Sequence, residues 1–363
     1  MTAGRQPEVR AARRVVAFGG GHGLSASLRA LRRCAPELDL DITAVVTVGD
    51  DGGSSGRLRA ERGALPPGDL RQALAALAAD HPITRRSADL FQHRFAAGGP
   101  GAAGAGPSGT AGPGPGAGPA AGGAGVAAGG AGPADPLAGH AVGNLVLCGL
   151  MELLGDPVAA LDHAGAMLGA IGRVLPMSCE PVGIEAVVRG MDPARPAEAV
   201  TVRGQHAVAV TRGRVESLSL SPVAPPACPQ ALAAVAEADW LIFGPGSWYT
   251  SVIPHLLVPE LAAAIVASPA RRLVTLNLAA EKETLGLSVA DHLAALRWYL
   301  PDLTVDLVLA DAKAVGDPEP VERAAESLGA RLVLAPVAVP DGAPRHDPSA
   351  LGAALVPLLG ADR

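Results

Sequence analysis

The sequence predicts an α/β fold: a Rossmann-like three-layer sandwich around a mostly parallel sheet, with a strand and hairpin region in the middle. Three observations point there. Short apolar runs alternate with helical patterns along most of the 363 residues, the order of a parallel sheet whose crossovers are helices. The first run, Val15-Val16-Ala17-Phe18, ends in Gly19-Gly20-Gly21-His22-Gly23 before a helical pattern opens at Leu24. Two later runs end in glycine-rich loops of the same kind, at 49–56 and 244–246.

A strand over 15–18 leads to a helix over 24–34, and a strand over 42–48 leads into a loop over 49–59. Residues 63–69 read as a turn in which Asp69 caps a helix over 70–79, and a further helix covers 87–95. From 98 to 136 the chain is almost entirely Gly, Ala and Pro. Such a segment buries too little apolar surface to offset its ordering entropy, so it is expected to be a disordered insertion within one domain spanning 15–97 and 137–363. Residues 1–14 read as a flexible, polar N-terminus without the apolar stretch of a secretory signal. Helices over 140–154 and 157–171 follow, and 174–221 reads as strands and hairpins, with strands over 184–189, 206–211 and 215–220. Alternation resumes with strands over 240–243, 273–278, 305–309 and 331–335, and helices over 289–300 and 348–359.

Composition narrows the function classes. Aromatic residues make up only 2% of a chain that is 49% hydrophobic, so Ala, Val and Leu must build the core. Net charge is −6 and no basic run exceeds two residues, which argues against a nucleic-acid partner, since that needs a cationic stripe or an aromatic stacking platform. Cys34, Cys148, Cys179 and Cys228 are far apart and form no C-x-x-C pair. They read as small core residues of a reducing compartment, not as a zinc site or disulfide framework. No uninterrupted apolar run reaches membrane-spanning length. A cytoplasmic location is expected.

The candidate site residues gather at strand ends. Gly20, Gly21, His22, Gly23, Leu24 and Ser25 form a strand–turn–helix junction whose amides suit a diphosphate. Read from Gly21, the spacing fits G-x-G-x-x-A (Gly21, Gly23, Ala26), one form of the dinucleotide fingerprint. His22 is either a phosphate donor or a turn histidine. Asp50 and Asp51 suit ribose or sugar hydroxyls, a divalent cation, or simple closure of the turn. Gly52, Gly53, Ser54 and Ser55 offer amides and hydroxyls to phosphate oxygens, and Arg57 supplies positive charge. Gly244, Gly246, Ser247 and Thr250 form a third such loop, where Trp248 and Tyr249 either stack on a base or pack the loop. Asn277 ends a strand and so faces the same crevice. Asn144 and His140, on or near an apolar helix, either touch ligand or serve helix packing and capping.

Several of these segments resemble one family, the gluconeogenesis factor or YvcK-type proteins of the CofD-like group. The matching stretches are Gly19-Gly20-Gly21-His22-Gly23-Leu24-Ser25, Asp50-Asp51-Gly52-Gly53-Ser54-Ser55-Gly56-Arg57-Leu58-Arg59 and Pro66-Pro67-Gly68-Asp69. Further on come Phe91-Gln92-His93-Arg94-Phe95, Ala138-Gly139-His140 with Gly143-Asn144-Leu145, Gly244-Pro245-Gly246-Ser247-Trp248-Tyr249-Thr250-Ser251, Asn277, Glu283-Thr284 and Asp291-His292. The second of the Asp-bearing motifs adds Asp69 to the ligand-binding candidates. This sequence departs from the family in its long Gly/Ala/Pro insertion, in His22 where many relatives carry Thr, and in lacking Pro-Gly before Glu283-Thr284.

The resemblance implies a Rossmann-like fold that binds a UDP-activated sugar, UDP-N-acetylglucosamine or UDP-glucose. It further implies a role in cell shape and wall-precursor supply during growth on gluconeogenic carbon sources. The expected protein is thus a regulator working through a protein partner, with a homo-oligomer left open and no certain cofactor. The alternative is a CofD-like transferase moving a 2-phospholactyl group from a nucleotide donor to a deazaflavin precursor, with Mg²⁺ held by Asp50 or Asp51. A nicotinamide dehydrogenase rests on the glycine spacing alone. Deleting residues 98–136 is expected to leave melting temperature and ligand affinity nearly unchanged, which thermal unfolding and titration of the shortened chain would check.

Overall fold

Residues 15–18 are buried on both faces, as a parallel strand covered by helices on either side must be. They form the middle of strand β1 (Arg13–Gly19) in the computed structural model, which describes residues 12–96, 135–279, 282–284 and 286–361. Residues 1–11 of the expected flexible N-terminus and nearly all of the expected disordered insertion lie outside these residues, whereas Arg13 and Arg14, expected in that flexible segment, open β1 by pairing with Leu40 and Asp41.

Strand β1 passes at Gly20 into helix α1 (Gly21–Leu38), then β2 (Leu40–Val46), α2 (Gly53–Arg62), α3 (Pro67–Leu77), α4 (Pro82–Gln92) and α5 (Val142–Leu154). Helix Pro157–Leu168 follows, capped by Asp156, whose Oδ1 accepts the amides of Val158 and Ala159 at 2.7 and 3.2 Å. Strands β3 (Arg173–Pro176), β4 (Gly183–Arg189), β5 (Ala199–Arg203), β6 (Arg214–Ser221), β7 (Trp240–Phe243), β8 (Arg271–Thr275), β9 (Leu307–Asp311) and β10 (Arg331–Ala335) complete the set.

Seven strands make one sheet in the order β10-β9-β8-β7-β1-β2-β3, every neighbouring pair parallel. The chain builds outward from β1 to β3, makes the small antiparallel sheet β5-β4-β6, and returns to pair β7 with the other side of β1. The order therefore reverses between β1 and β7. Loops leaving those two strands diverge and open a crevice at their carboxyl ends, where open α/β sheets bind ligands.

Large side chains fill the sheet below that crevice. Phe18 of β1 and Phe243 of β7 stack with ring centroids 4.9 Å apart, and His255 meets Phe18 edge-on. His255 is fully buried between the carbonyls of Val45 and Val252, and burial pushes its pKa down to about 4, so the ring is neutral.

The α/β architecture and the middle strand region stand as expected, but several elements do not. The glycine loop after β2 ends at Gly52; Ser54, Ser55 and Arg57 lie in helix α2, which the Gly/Ser content hid. Residues 206–211 are not a strand: Gln205–Ala209 is a short helix whose first turn is held by Asp51, as Asp51 Oδ1 accepts the His206 amide at 2.8 Å. Helix α3 begins at Pro67, so Asp69 lies within its first turn and does not cap it. Helix α4 starts at Pro82, with His81 as its cap. All four cysteines are free thiols, and Cys34, Cys148 and Cys228 are buried as small core residues. Among the described residues no single helix is long and apolar enough to cross a membrane.

Phe18→Ala would remove the stacked pair and leave a cavity under the crevice. A destabilisation of about 3–5 kcal/mol is expected, measurable as a lower urea midpoint.

Candidate functional site

Gly20 sits where three structural units converge. A Cβ at this position would lie 2.4 Å from Thr47 Oγ1, 2.6 Å from Asp69 Oδ2 and 3.3 Å from Ser251 Oγ. Only glycine fits, which brings the start of α1 against the end of β2, the first turn of α3 and the loop after β7. Gly23 is equally constrained, since its Cβ would lie 2.3 Å from the Pro245 carbonyl oxygen. The two loops of the switch point thus touch backbone to backbone.

The loop after β7 is held in place by Asn277. Its Oδ1 accepts the Gly246 amide at 2.9 Å and its Nδ2 donates to the Gly246 carbonyl at 2.8 Å. Gly244 and Gly246 both have positive φ, 71° and 145°, and Ser27 Oγ on α1 donates to the Gly244 carbonyl at 3.2 Å. Glu283 fixes the following turn, accepting from Ser247 Oγ at 2.6 Å and from the Tyr249 amide at 2.9 Å. Ser247 Oγ also bonds Thr250 Oγ1. Trp248 is fully buried and stacks on His292 at 5.3 Å, so it packs the loop and cannot meet a base.

Above these loops lies a cavity of ≈ 590 Å³. Gly20, Gly21, His22, Gly23, Gly246, Ser247, Thr250 and Asn277 all line it. Its other walls come from residues that sequence reasoning missed: Arg29 on α1, Gln205, Ser251, and a C-terminal rim that includes Arg345 and His346. The amides of His22 and Gly23 open α1, where no carbonyl within the helix can take them. Arg29 and Arg345 are exposed. Gln205 Oε1 and His346 Nε2 are buried and have no hydrogen-bond partner among the described residues. His346 is neutral, its pKa pushed down to about 4, first by burial. Cationic side chains, free helix-opening amides and unpaired polar atoms thus face one space.

Leu24 and Ser25 turn inward from α1 and are buried. Asp50, Asp51, Gly52, Gly53, Ser54, Ser55, Arg57, Asp69, His140 and Asn144 do not line the cavity; they form a second, adjoining group. Asp50 Oδ1 accepts the Gly52 amide at 3.0 Å, closing the turn. Asp50 Oδ2 points to Gly68, whose Cβ position would be 2.4 Å away, whereas Asp51 Oδ2 faces Gly204. The two carboxylates diverge, and among the described residues no three His, Cys, Asp or Glu side chains converge as a metal cage. These residues by themselves do not fit a preformed Mg²⁺ site.

Behind them runs a directed chain of hydrogen bonds. Arg71, 3% exposed, donates from Nε to Asn144 Oδ1 at 2.8 Å and from Nη1 to Gln92 Oε1. A guanidinium only donates, so the amide orientation of Asn144 is fixed. Asn144 Nδ2 then donates to Ser54 Oγ at 2.9 Å, and Ser54 Oγ is hydrogen-bonded to His140 Nδ1 at 3.0 Å. His140 closes the chain and is itself buried. Burial, with the Arg57 charge second, lowers its pKa. Arg57 itself is exposed and donates to the Ala138 carbonyl at 2.7 Å.

A profile model of the CofD family, described as 2-phospho-L-lactate transferase CofD, matches residues 15–333. A protein of Mycobacterium tuberculosis, provisionally named a gluconeogenesis factor, is 48% identical over 345 residues, covering 94% of this chain and 89% of its own. The chain belongs to the gluconeogenesis factor family of the CofD-like group. The gluconeogenesis factor of Bacillus subtilis is 33% identical, over 88% of this chain and 84% of that protein. A solved UPF0052-family structure from Bacillus halodurans superposes with a TM-score of 0.74 at 29% identity, covering 95% of this chain and 99% of its own. The family fold thus extends through the site.

Asp69 links the two groups of this gluconeogenesis-factor relative. Its Oδ2 accepts from Thr47 Oγ1 at 3.2 Å, and Thr47, Gln205 and the Gly21 amide favour its charged form. Burial, reinforced by the Asp50 charge, pushes its pKa from 3.8 up to about 6. Across that interval the folded carboxyl keeps a proton the unfolded chain has lost, so its contribution to stability falls as pH rises and is gone above 6. Asp69→Asn removes this dependence. Relative to the parent, the variant is expected to gain about 3 kcal/mol between pH 4 and pH 7.5, read by denaturant titrations at the two pH values.

Proposed function

We propose that the crevice between β1 and β7 binds a UDP-activated sugar, UDP-N-acetylglucosamine or UDP-glucose. In this reading the protein is a regulator of cell shape and wall-precursor supply on gluconeogenic carbon sources, acting through a protein partner. The observation that carries it is the ≈ 590 Å³ cavity at the switch point, walled by helix-opening amides on one side and by Arg29 and Arg345 on the other. Amides at a helix start favour an anion, and guanidinium groups bind phosphate oxygens in pairs. The volume lies in the range of sites for compact organic ligands. Ser247 and the unpaired Gln205 Oε1 supply partners for hydroxyl or imide groups.

Binding without turnover agrees with the side chains in that space. The Ser54–His140 pair has the outline of a nucleophile and base, but it does not line the cavity, and its hydroxyl is pinned between Asn144 and His140. The match to the CofD model favours a second reading, transfer of a phospholactyl group to a deazaflavin alcohol. Incubation with donor, acceptor and Mg²⁺ tests it, and absence of product removes it.

Calorimetric titration with UDP-N-acetylglucosamine is expected to show micromolar binding to the parent protein. Arg345→Ala, which removes a charge from the exposed rim without touching the core, should weaken it about tenfold or more. Absence of binding to the parent overturns the proposal, and unchanged affinity in the variant moves the ligand elsewhere.

A further inference from the structure

The far wall of the cavity is a hairpin, residues 337–347, and a buried carboxylate roots it in the sheet. Val339, Pro344, Arg345 and His346 of this hairpin line the cavity. The hairpin closes on itself. The Asp347 amide donates to the Val337 carbonyl at 2.9 Å, the Val339 amide donates to the Arg345 carbonyl at 3.0 Å, and Ala338 and His346 form an antiparallel bridge. Asp341 completes the tip, accepting the Ala343 amide at 3.0 Å and pairing with Arg345 at 3.0 Å. None of these bonds ties the hairpin to the sheet. Asp311, the last residue of β9, does. Its Oδ2 accepts the amides of Val337 and Ala338 at 2.9 and 3.1 Å, while its Oδ1 accepts those of Lys313 and Ala314 at 2.9 and 3.1 Å.

We propose that Asp311 is the positioning residue of this cavity, the group that holds Arg345 and His346 opposite the amides opening α1. The position calls for a carboxylate. Four N–H groups converge on the two oxygens of a side chain that is 4% exposed. An ionised carboxylate accepts at both oxygens and donates at neither. Burial opposes the charge, but the amides of Val337, Ala314, Lys313 and Ala338 outweigh it, so the pKa lies below the usual carboxylate value. Charge-assisted bonds of this kind are among the stronger ones in proteins.

The other end of the hairpin runs into helix Pro348–Gly360, whose Gly352 lies against Ala30 of α1. The hairpin is therefore held at two roots, α1 on one side and β9 on the other. Helix α1 also supplies Arg29 and the free amides of the near wall. With the β9 root released, the separation between Arg345 and those amides is no longer set, and they stop converging on one anion. Asp311 carries no motif: it ends a buried strand, and its partners come from two separate segments, 313–314 and 337–338. The consequence for affinity rests on the reading of the cavity as a UDP-sugar site, whereas the anchoring does not.

Asp311→Ala removes the acceptor from both segments. Hydrogen exchange of the full chain reads the anchoring without ligand. The amides of Val337 and Ala338 should be protected in the parent, and in the variant they should exchange about tenfold faster or more. Calorimetric titration with UDP-N-acetylglucosamine should show affinity about tenfold weaker in the variant. A residue acting through Arg345 loses its effect once Arg345 is gone. Added to Arg345→Ala, Asp311→Ala should therefore cost less than about twofold more, whereas independent losses multiply. Unprotected amides in the parent overturn the anchoring, even where the variant does not fold. A folded variant with parental affinity, or losses that multiply in the double variant, overturns the positioning role. A parent that does not bind the sugar nucleotide removes the reading of the ligand, and the exchange rates then decide the anchoring.

Discussion

The site depends on Gly20 having no side chain. Thr47 and Asp69 approach it closer than a methyl group would permit, and Ser251 crowds the same point. This is what lets β1, β2, α3 and the β7 loop meet at a single point. The parallel sheet supplies the geometry, since β1 is flanked by β2 and β7 and its outgoing loop has a neighbour on each side. Glycine then lets those neighbours close to contact distance, and the start of α1 is left facing the space above. Asn277 does the equivalent work for the opposite loop through its paired bonds to Gly246.

Much of this was legible because it depends on local sequence. Apolar runs ending in glycine located β1 and β7 and the two loops that bound the cavity. Asp51 and residues 206–211 show where local reading ends. A β-branched, apolar stretch became a short helix because a carboxylate from 155 positions earlier holds its first amide. Ser54 and Ser55 were read as loop because glycine and serine weaken helical signal, yet α3 and α5 hold α2 in place. Arg71, Gln205, Arg29 and Arg345 carried no motif that marks a site; only the folded chain puts them there.

The polar interior beside the cavity is unusual in its polarity ordering. Arg71 carries a buried positive charge whose hydrogen-bond partners are the neutral Asn144 and Gln92. A buried charge without an ionised partner is costly, and its pKa is accordingly pushed down to about 10, first by burial. The negative charges of Asp69 and Asp50 act on it from a distance. Asp69 and Arg71 belong to one turn of α3, so a single helix start sets both the carboxyl behind Gly20 and the guanidinium that orients Asn144. Removing either would be felt in the other's ionisation.

Because Gly20 and Gly23 are pressed against backbone and buried polar atoms, these two positions in the floor of the crevice admit no side chain. The far rim is different: it comes from the segment before the last helix, Pro348–Gly360, where Arg345 is exposed and its side chain pairs, among the described residues, only with the neighbouring Asp341, at 3.0 Å. Among descendants of one ancestral fold, the glycine-built floor would stay fixed while the far rim drifted. The two halves of the pocket are therefore free to evolve at different rates.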